Sequence, residues 1–397
     1  MLLLARKTLF LWFALASCAS LTLSAAETEQ QAQQEVANID ALIARLGADK
    51  YAERQRASRR IVEVGIAARD ALVEALKHSD AEIARRARRA LLAVLEADFQ
   101  SRLARFAANN DDDNADPQNA YGLAGWKRFQ KLAGSDRVAR QQFVEMQRVE
   151  AVLLEVADQN PAQLADAMIV RSKQMQARWP RYGADGESSI PVASVTTLLL
   201  LGADTELAVA SRARENVYRL LGYANFAEAI SGGRNAALLK KLLGAWIARG
   251  SSPETATQDM WFALRYDIAE GLKPALAILV NAQFEHSPQV REYALLVVAK
   301  FGDRSHLDVL GPLLGDTSSS DSSSTFRKRA RVEVRDVALA TMIHLSGQKL
   351  KDFGFEQAGE KFFDRFDVDS LGFSTDAKRQ AALAKWRVWE RLQKAKK

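Results

Sequence analysis

The stretch that decides the fold is Ser287-Pro288-Gln289-Val290-Arg291-Glu292-Tyr293-Ala294. A partial copy, Val334-Arg335-Asp336-Val337-Ala338, begins its Val-Arg pair 44 residues later, and in both copies an alanine stands three residues after the arginine. The Ser-Pro pair predicts a helix start, because proline fixes the first-turn backbone and has no N–H to leave unpaired. Repeats at this interval are typical of proteins built from stacked helix pairs. We therefore expect Val290, Tyr293 and Ala294 to pack in a core and Arg291 to brace an adjacent turn.

The composition predicts an all-α protein. Of the 397 residues, 48% are hydrophobic and 26% are charged, as in an ordinary globular chain. Long stretches rich in Ala, Leu, Arg and Glu favour helices almost throughout. The formal net charge of +6 is too mild to indicate a nucleic-acid-binding surface, so no nucleic acid partner is expected.

The N-terminal segment predicts export from the cytoplasm. Arg6 and Lys7 precede a short apolar run at residues 9–16, which is the pattern of a signal peptide. Small residues before and at Ala26 predict cleavage after that position, so that residues 1–26 are removed. The mature protein is then expected in the periplasm or cell envelope.

A second processing route remains open at Cys18. The residues Leu15-Ala16-Ser17-Cys18 resemble the lipobox of bacterial lipoproteins. That resemblance implies a signal of residues 1–17 and a lipid on Cys18, which would hold the protein at the membrane. Cys18 is the one cysteine of the chain, so a mature chain that starts after residue 26 can form no disulfide.

Residues 36–108 contain a helix pair that repeats with a step of 30 residues. Leu46 and Ala57 of the first copy recur as Leu76 and Ala87, and Gly65 stands where a helix is expected to stop. The block from Leu76 to Ala87 resembles the junction inside a HEAT repeat, where Leu ends one helix, Asp begins the turn, and an apolar residue and Arg open the next. The resemblance implies short HEAT-like repeats at this end of the chain.

Strings near the C-terminus are more specific than this spacing. His344-Leu345-Ser346-Gly347-Gln348, Lys351-Asp352-Phe353-Gly354-Phe355 and Leu371-Gly372-Phe373 resemble the tail of a group of exported bacterial HEAT-repeat proteins. The resemblance implies an α-solenoid of antiparallel helix pairs and an exported location, but no particular activity. An aromatic-rich segment is expected to cap the solenoid. Its residues are Phe353, Phe355, Phe362, Phe363, Phe366, Phe373 and Trp386.

Changes in composition divide the rest of the chain. An acidic linker, an irregular helical region, a second set of HEAT-like repeats with a Ser-rich and basic insertion, and a helical cap are expected. The respective ranges are 109–119, 120–203, 204–347 with its insertion at 315–331, and 348–397.

The residues that carry chemistry do not form a recognisable motif. None of the four histidines has a partner at a spacing that binds zinc, and no nucleophile elbow, P-loop or dinucleotide-binding glycine run occurs. The acidic stretches at 109–117 and 367–372 lack the ligand spacing of a calcium loop. The sequence therefore predicts no catalytic residue, no metal and no cofactor.

The strongest functional feature is a pair of basic strips. Arg85, Arg86, Arg88 and Arg89 share one helix, and a similar group of Arg54, Arg56, Arg59 and Arg60 lies about 30 residues earlier. If the repeats stack in register, the strips form a cationic ridge that attracts an anionic partner. The alternative is a solvated helix face that nearby glutamates partly neutralise.

These features favour a non-catalytic interaction scaffold or adaptor of the bacterial cell envelope. The expected partner is a protein or peptide, or an anionic envelope polymer. Two alternatives stay open: a HEAT-like enzyme of the lyase or glycosylase type, and a structural envelope component anchored by a lipid on Cys18.

Overall fold

The computed structural model describes residues 38–108, 121–177, 190–250, 252–320, 331–356, 358 and 367–395. The chain divides into two compact units, one up to Asn109 and one from Asn110. In the described ranges every regular element is an α-helix or a short 3-10 helix, and none is a strand. This confirms the predicted all-α class.

The first unit contains four helices among its described residues. They are α1 (residues 38–44), α2 (Tyr51–Val64), α3 (Arg69–Ala75) and α4 (Ala81–Ala108). Short 3-10 turns at Arg45–Gly47 and Gly65–Ala68 lead into the next helices.

The repeated apolar positions of the first unit form its core. Leu46, Ala57, Ile61 and Ala87 are at most 3% exposed, and Leu76 packs against them partly buried. Each fully buried Leu or Ile side chain contributes about 2 kcal/mol through the hydrophobic effect. Helix α2 stops where predicted, because Gly65 has a φ of 75° that residues with a Cβ rarely adopt.

The second unit continues with helices joined by short turns. Its first six described helices are α5 (Trp126–Ala133), α6 (Arg137–Gln159), α7 (Leu164–Ala177), α8 (Val192–Ala203), α9 (Ser211–Leu221) and α10 (Ala224–Gly232). The remaining helices are α11 (Ala236–Ala248), α12 (Ala256–Tyr266), α13 (Leu272–Val280), α14 (Pro288–Phe301), α15 (Leu307–Leu310), α16 (Val334–Leu345) and α17 (Asp376–Lys394).

The two copies of the opening motif lie on helices that pack against each other. Pro288 is the first residue of α14, as predicted, and α14 contacts α12, α13 and α16. Val290 and Ala294 are buried, whereas Tyr293 is half-buried. Arg291 forms an ion pair with Asp316 in the turn after the 3-10 helix at Gly311–Gly315, which confirms its predicted bracing contact.

The late aromatic residues pack beside α17. Phe353, Phe355, Phe373 and Trp386 are at most 6% exposed. The ring centroids of Phe355 and Phe373 lie 4.7 Å apart, and those of Phe353 and Trp386 lie 6.0 Å apart. Such pairs add to the free energy that area burial provides. A buried guanidinium joins the same helix to α16, because Arg379 pairs with Asp336 at 2.7 Å.

Several predicted segments lie outside the described residues. They are the signal segment with Cys18, the linker at 109–119, most of the Ser-rich insertion, and Phe362, Phe363 and Phe366. Among the helices that the structure describes, none is long and apolar enough to cross a lipid bilayer.

A close helix contact of the second unit joins α8 to α11 at Gly202. A Cβ atom added to Gly202 would stand 1.8 Å from Cζ3 of Trp246, whose side chain is fully buried. No side chain larger than hydrogen fits there without displacing the indole ring. The backbone of α8 can approach Trp246 this closely because the residue is glycine.

We expect Gly202→Ala to lower the free energy of unfolding of the second unit by about 2 kcal/mol, the usual cost of overpacking a core. Urea unfolding followed by tryptophan fluorescence measures this unit, because residues 27–108 contain no tryptophan. The control is Gly232→Ala at the end of α10, where an added Cβ meets no atom within 4 Å. Equal stability of the two variants would contradict the close contact.

Candidate functional site

Two of the predicted arginines lie together, but they are engaged within the protein. The guanidinium carbons of Arg54 and Arg86 each lie 5.8 Å from the centroid of the Tyr51 ring. Both side chains also pair with Glu82, at 3.7 Å from Arg54 Nε and 2.6 Å from Arg86 Nε. Arg54 donates two further hydrogen bonds to the carbonyls of Ala48 and Asp49. These two arginines therefore hold α2 and α4 together.

Glu82 is the shared acceptor of this cluster. Arg85, exposed on α4, forms a third ion pair with the same carboxylate. Hydrogen bonds from Arg86 and then Arg85 hold the pKa of Glu82 below its usual value. Glu82 thus stays ionised, and it neutralises part of the predicted strip on α4.

The predicted arginines of α2 lie on both flanks of the helix. Arg54 faces α4, whereas Arg56 and Arg60 line a groove on the other side. The end of α1 and the turn that follows it form the opposite wall, which carries Arg45. The lining residues are Leu42, Arg45, Glu53, Arg56, Ala57 and Arg60, and the groove holds about 550 Å³. We call this groove the arginine groove.

The other predicted arginines are exposed. Arg59 lies on the outer face of α2, and Arg88 and Arg89 lie on the outer face of α4. Two large apolar side chains share that face of α4: Leu92 is 64% exposed and Leu95 is 39% exposed. Guanidinium groups and leucines thus lie side by side on the solvent face of one helix.

Residue spacing did not predict that Arg45 lies in this groove. The predicted strips lie on the second helix of each pair, whereas Arg45 lies in the 3-10 turn that ends the first helix. A turn between paired helices places the end of one beside the start of the next. Gly47, two residues after Arg45, indicates such a turn. It could have shown that the side chain of Arg45 would lie near α2.

A second groove runs between α6 and α7 and holds about 670 Å³. Its walls are largely apolar, with Val152 74% exposed and Val170 54% exposed. At its centre Glu150, where α6 is kinked, accepts three hydrogen bonds of 2.7–3.0 Å from Arg171. The central charges are thus satisfied by each other, and the groove offers mainly apolar contact.

A buried polar cluster in the second unit joins α9, α11 and α12. Asp259 is fully buried and accepts hydrogen bonds from Arg214 at 3.2 Å, from Thr255 at 3.2 Å and from the hydroxyl of Tyr218. The indole N–H of Trp246 donates to Tyr218 at 2.7 Å, and the Arg214 guanidinium lies 4.5 Å from the Trp246 ring. Burial raises the pKa of Asp259 well above its usual range. Because the cluster is closed to solvent, its role is structural.

The described residues contain no arrangement suited to metal catalysis. No group of three His, Cys, Asp or Glu side chains within them could hold a metal ion. Two histidines serve local turns: the His78 ring accepts from the backbone N–H of Asp80, and the His306 ring accepts from that of Asp303.

Comparison with known proteins adds no assignment. A scan against protein-family models finds no match for the chain, and a search of curated proteins finds no similar sequence. The HEAT-like assignment of the repeats therefore stays a prediction from the residues quoted above.

We expect Arg214→Met to lower the free energy of unfolding of the second unit by about 3–5 kcal/mol at neutral pH, because Asp259 loses its counter-charge inside the core. A carboxyl whose pKa is raised in the folded state stabilises the fold at low pH and loses that contribution as the pH rises. The loss should therefore shrink on acidification, when Asp259 takes up a proton. Urea unfolding at several pH values measures it.

The matched control for this prediction is Arg212→Met, because Arg212 lies on the same helix with 61% of its side chain exposed. It should leave the free energy of unfolding nearly unchanged. A second variant, Arg214→Met with Asp259→Asn, should recover part of the stability, since no charge is then left in the core. A loss for Arg214→Met that does not vary with pH would contradict the role of Asp259.

Proposed function

We propose that the protein is a non-catalytic binding protein of the bacterial cell envelope, built from HEAT-like helix pairs, whose first unit binds an acidic segment of a protein partner. One observation carries the proposal. Five arginines of the arginine groove and the predicted strips have side chains that form no ion pair or hydrogen bond with any residue that the structure describes. They are Arg45, Arg56, Arg59, Arg88 and Arg89.

The charge of the first unit supports an anionic partner. Residues 38–108 contain fourteen Lys and Arg against ten Asp and Glu, a formal charge of +4. Guanidinium groups keep their protons at all physiological pH values, and their planar donors pair with carboxylates in a bidentate manner. A basic surface of this kind also steers an acidic partner towards it at low ionic strength.

The leucines on α4 favour a protein over a uniform anionic polymer. Leu92 and Leu95 are exposed beside Arg88 and Arg89. Binding is stabilised when apolar groups of a partner cover exposed apolar side chains. A polysaccharide chain provides few apolar groups. An amphipathic segment with acidic and apolar residues satisfies both kinds of side chain.

The envelope location is supported by the sequence of the N-terminal segment, and the helix-pair architecture by the packing of α14 on α16. We also propose that the buried aromatic residues beside α17 close the end of the helix stack in the second unit. Phe353 and Trp386 support this role because both are buried and in contact.

We expect the mature full-length chain to bind a fluorescent oligoglutamate peptide, with an affinity that falls as NaCl is added, because salt screens exposed charges. Fluorescence anisotropy measures the dissociation constant. Changing these five arginines to Gln should weaken binding at least tenfold. The reason is that the change removes several exposed ion pairs with the peptide, each worth about 0.3–1 kcal/mol.

The control changes five exposed cations of the second unit to Gln, which lowers the net charge equally. These are Arg137, Arg212, Arg219, Arg234 and Lys241. We expect this control to bind oligoglutamate within about twofold of the unchanged protein. Equal weakening of both variants would contradict a binding surface on the first unit.

The mass of the mature N-terminus tests the proposed location. We expect a chain that starts either at Glu27 or at an acylated Cys18. The variant Cys18→Ala separates the two routes, because it should abolish the lipid mass only in the second case. A mature chain that retains Met1 would contradict export.

A further inference from the structure

The arginine groove differs from the other basic surfaces of the first unit because it has two walls. Arg56 and Arg60 reach it from α2, one helical turn apart, and Arg45 reaches it from the turn after α1. A ligand in the groove can contact guanidinium groups from both sides. On α4, by contrast, Arg88 and Arg89 are consecutive, so their side chains diverge by about 100° around the helix.

The three guanidinium groups of the groove are available to a ligand. Arg45 and Arg56 pair with no carboxylate in the described part of the chain. Arg60 pairs with Glu63 at 2.8 Å, but these side chains are 64% and 59% exposed. An exposed pair of this kind is worth little and exchanges readily for a better partner.

We propose that the arginine groove is the site at which carboxylates of the acidic protein segment bind. This inference rests on the proposed function and adds the location and the chemistry of recognition. Each carboxylate of the segment would accept hydrogen bonds from one of Arg45, Arg56 and Arg60. The methylene groups of its acidic side chains would contact Leu42 and Ala57, which line the groove.

Glu53 lowers the advantage that a doubly charged phosphate would otherwise have over a carboxylate in the groove. Its side chain lines the same groove and is 42% exposed. A phosphate monoester carries a charge of about −1.5 to −2 at neutral pH, so it is repelled by Glu53 more strongly than a carboxylate is.

The experiment compares two variants that lose the same charge within the same unit. In the groove variant Arg45, Arg56 and Arg60 are changed to Gln, and in the outer-face variant Arg59, Arg88 and Arg89 are changed to Gln. Both are made in the mature full-length chain, and circular dichroism checks their helix content. The probes are labelled oligoglutamate and, separately, a labelled oligophosphoserine peptide of the same length.

We expect the groove variant to bind oligoglutamate about tenfold more weakly and the outer-face variant about twofold more weakly. A third variant, with Lys at positions 45, 56 and 60, keeps the charge but loses the bidentate donors, so an intermediate affinity is expected. Glu53→Gln should tighten binding of oligoglutamate about twofold, and that of oligophosphoserine by more, since the repulsion on a phosphate monoester is larger.

The outcomes separate this inference from the proposed function. If the outer-face variant loses more affinity than the groove variant, the groove assignment is overturned while the acidic-segment function stands. If neither variant weakens binding, both are overturned. If oligophosphoserine binds the unchanged protein more tightly than oligoglutamate, and the groove variant loses more affinity for oligophosphoserine, the groove recognises phosphate and the carboxylate assignment is wrong.

Discussion

The contact between the Trp246 ring and the backbone of Gly202 positions the buried hydrogen-bond network of the second unit. Because α8 presents no side chain at that position, the indole packs directly on the helix. The ring is then placed so that its N–H reaches Tyr218, whose hydroxyl reaches Asp259. From Asp259 the network continues to Arg214. The close approach of α8 and α11 thus positions the hydrogen-bond network that joins α11 to α9 and α12.

Paired arginines and unpaired surface arginines contribute differently to the fold. In the second unit Arg214, Arg379 and Arg171 each form an ion pair with a buried carboxylate on another helix. In the first unit, Arg45 and the outer arginines face solvent without a carboxylate in the described ranges. Burying an ion pair fixes which helices meet, whereas an unpaired surface guanidinium adds little to stability. The unpaired cations of the first unit therefore add little to its fold, which leaves them available to a ligand.

Periodicity predicted the helices and much of the core, because a helix that buries one face repeats its apolar residues every three or four positions. It identified Leu46, Ala57 and Ala87 and the helix start at Pro288 correctly. It could not predict the partner of each arginine. Positions 54 and 56 differ by about 200° around α2, so they reach opposite neighbours, and helix pairing decides which neighbours these are. Arg214 and Asp259 were missed because a polar residue read alone predicts solvent exposure, and their contact spans 45 residues of sequence.

Glu82 has a consequence for how the surface of the first unit can change. Its carboxylate holds Arg54, Arg85 and Arg86 at once. A single codon change that removes this carboxylate would leave three guanidinium groups without their shared counter-charge. The net charge would rise by one unit, as it would on gain of one basic residue, but three existing cations would be affected at once. In evolutionary terms, the electrostatic potential of this surface is adjustable at one site without the gain of a basic residue.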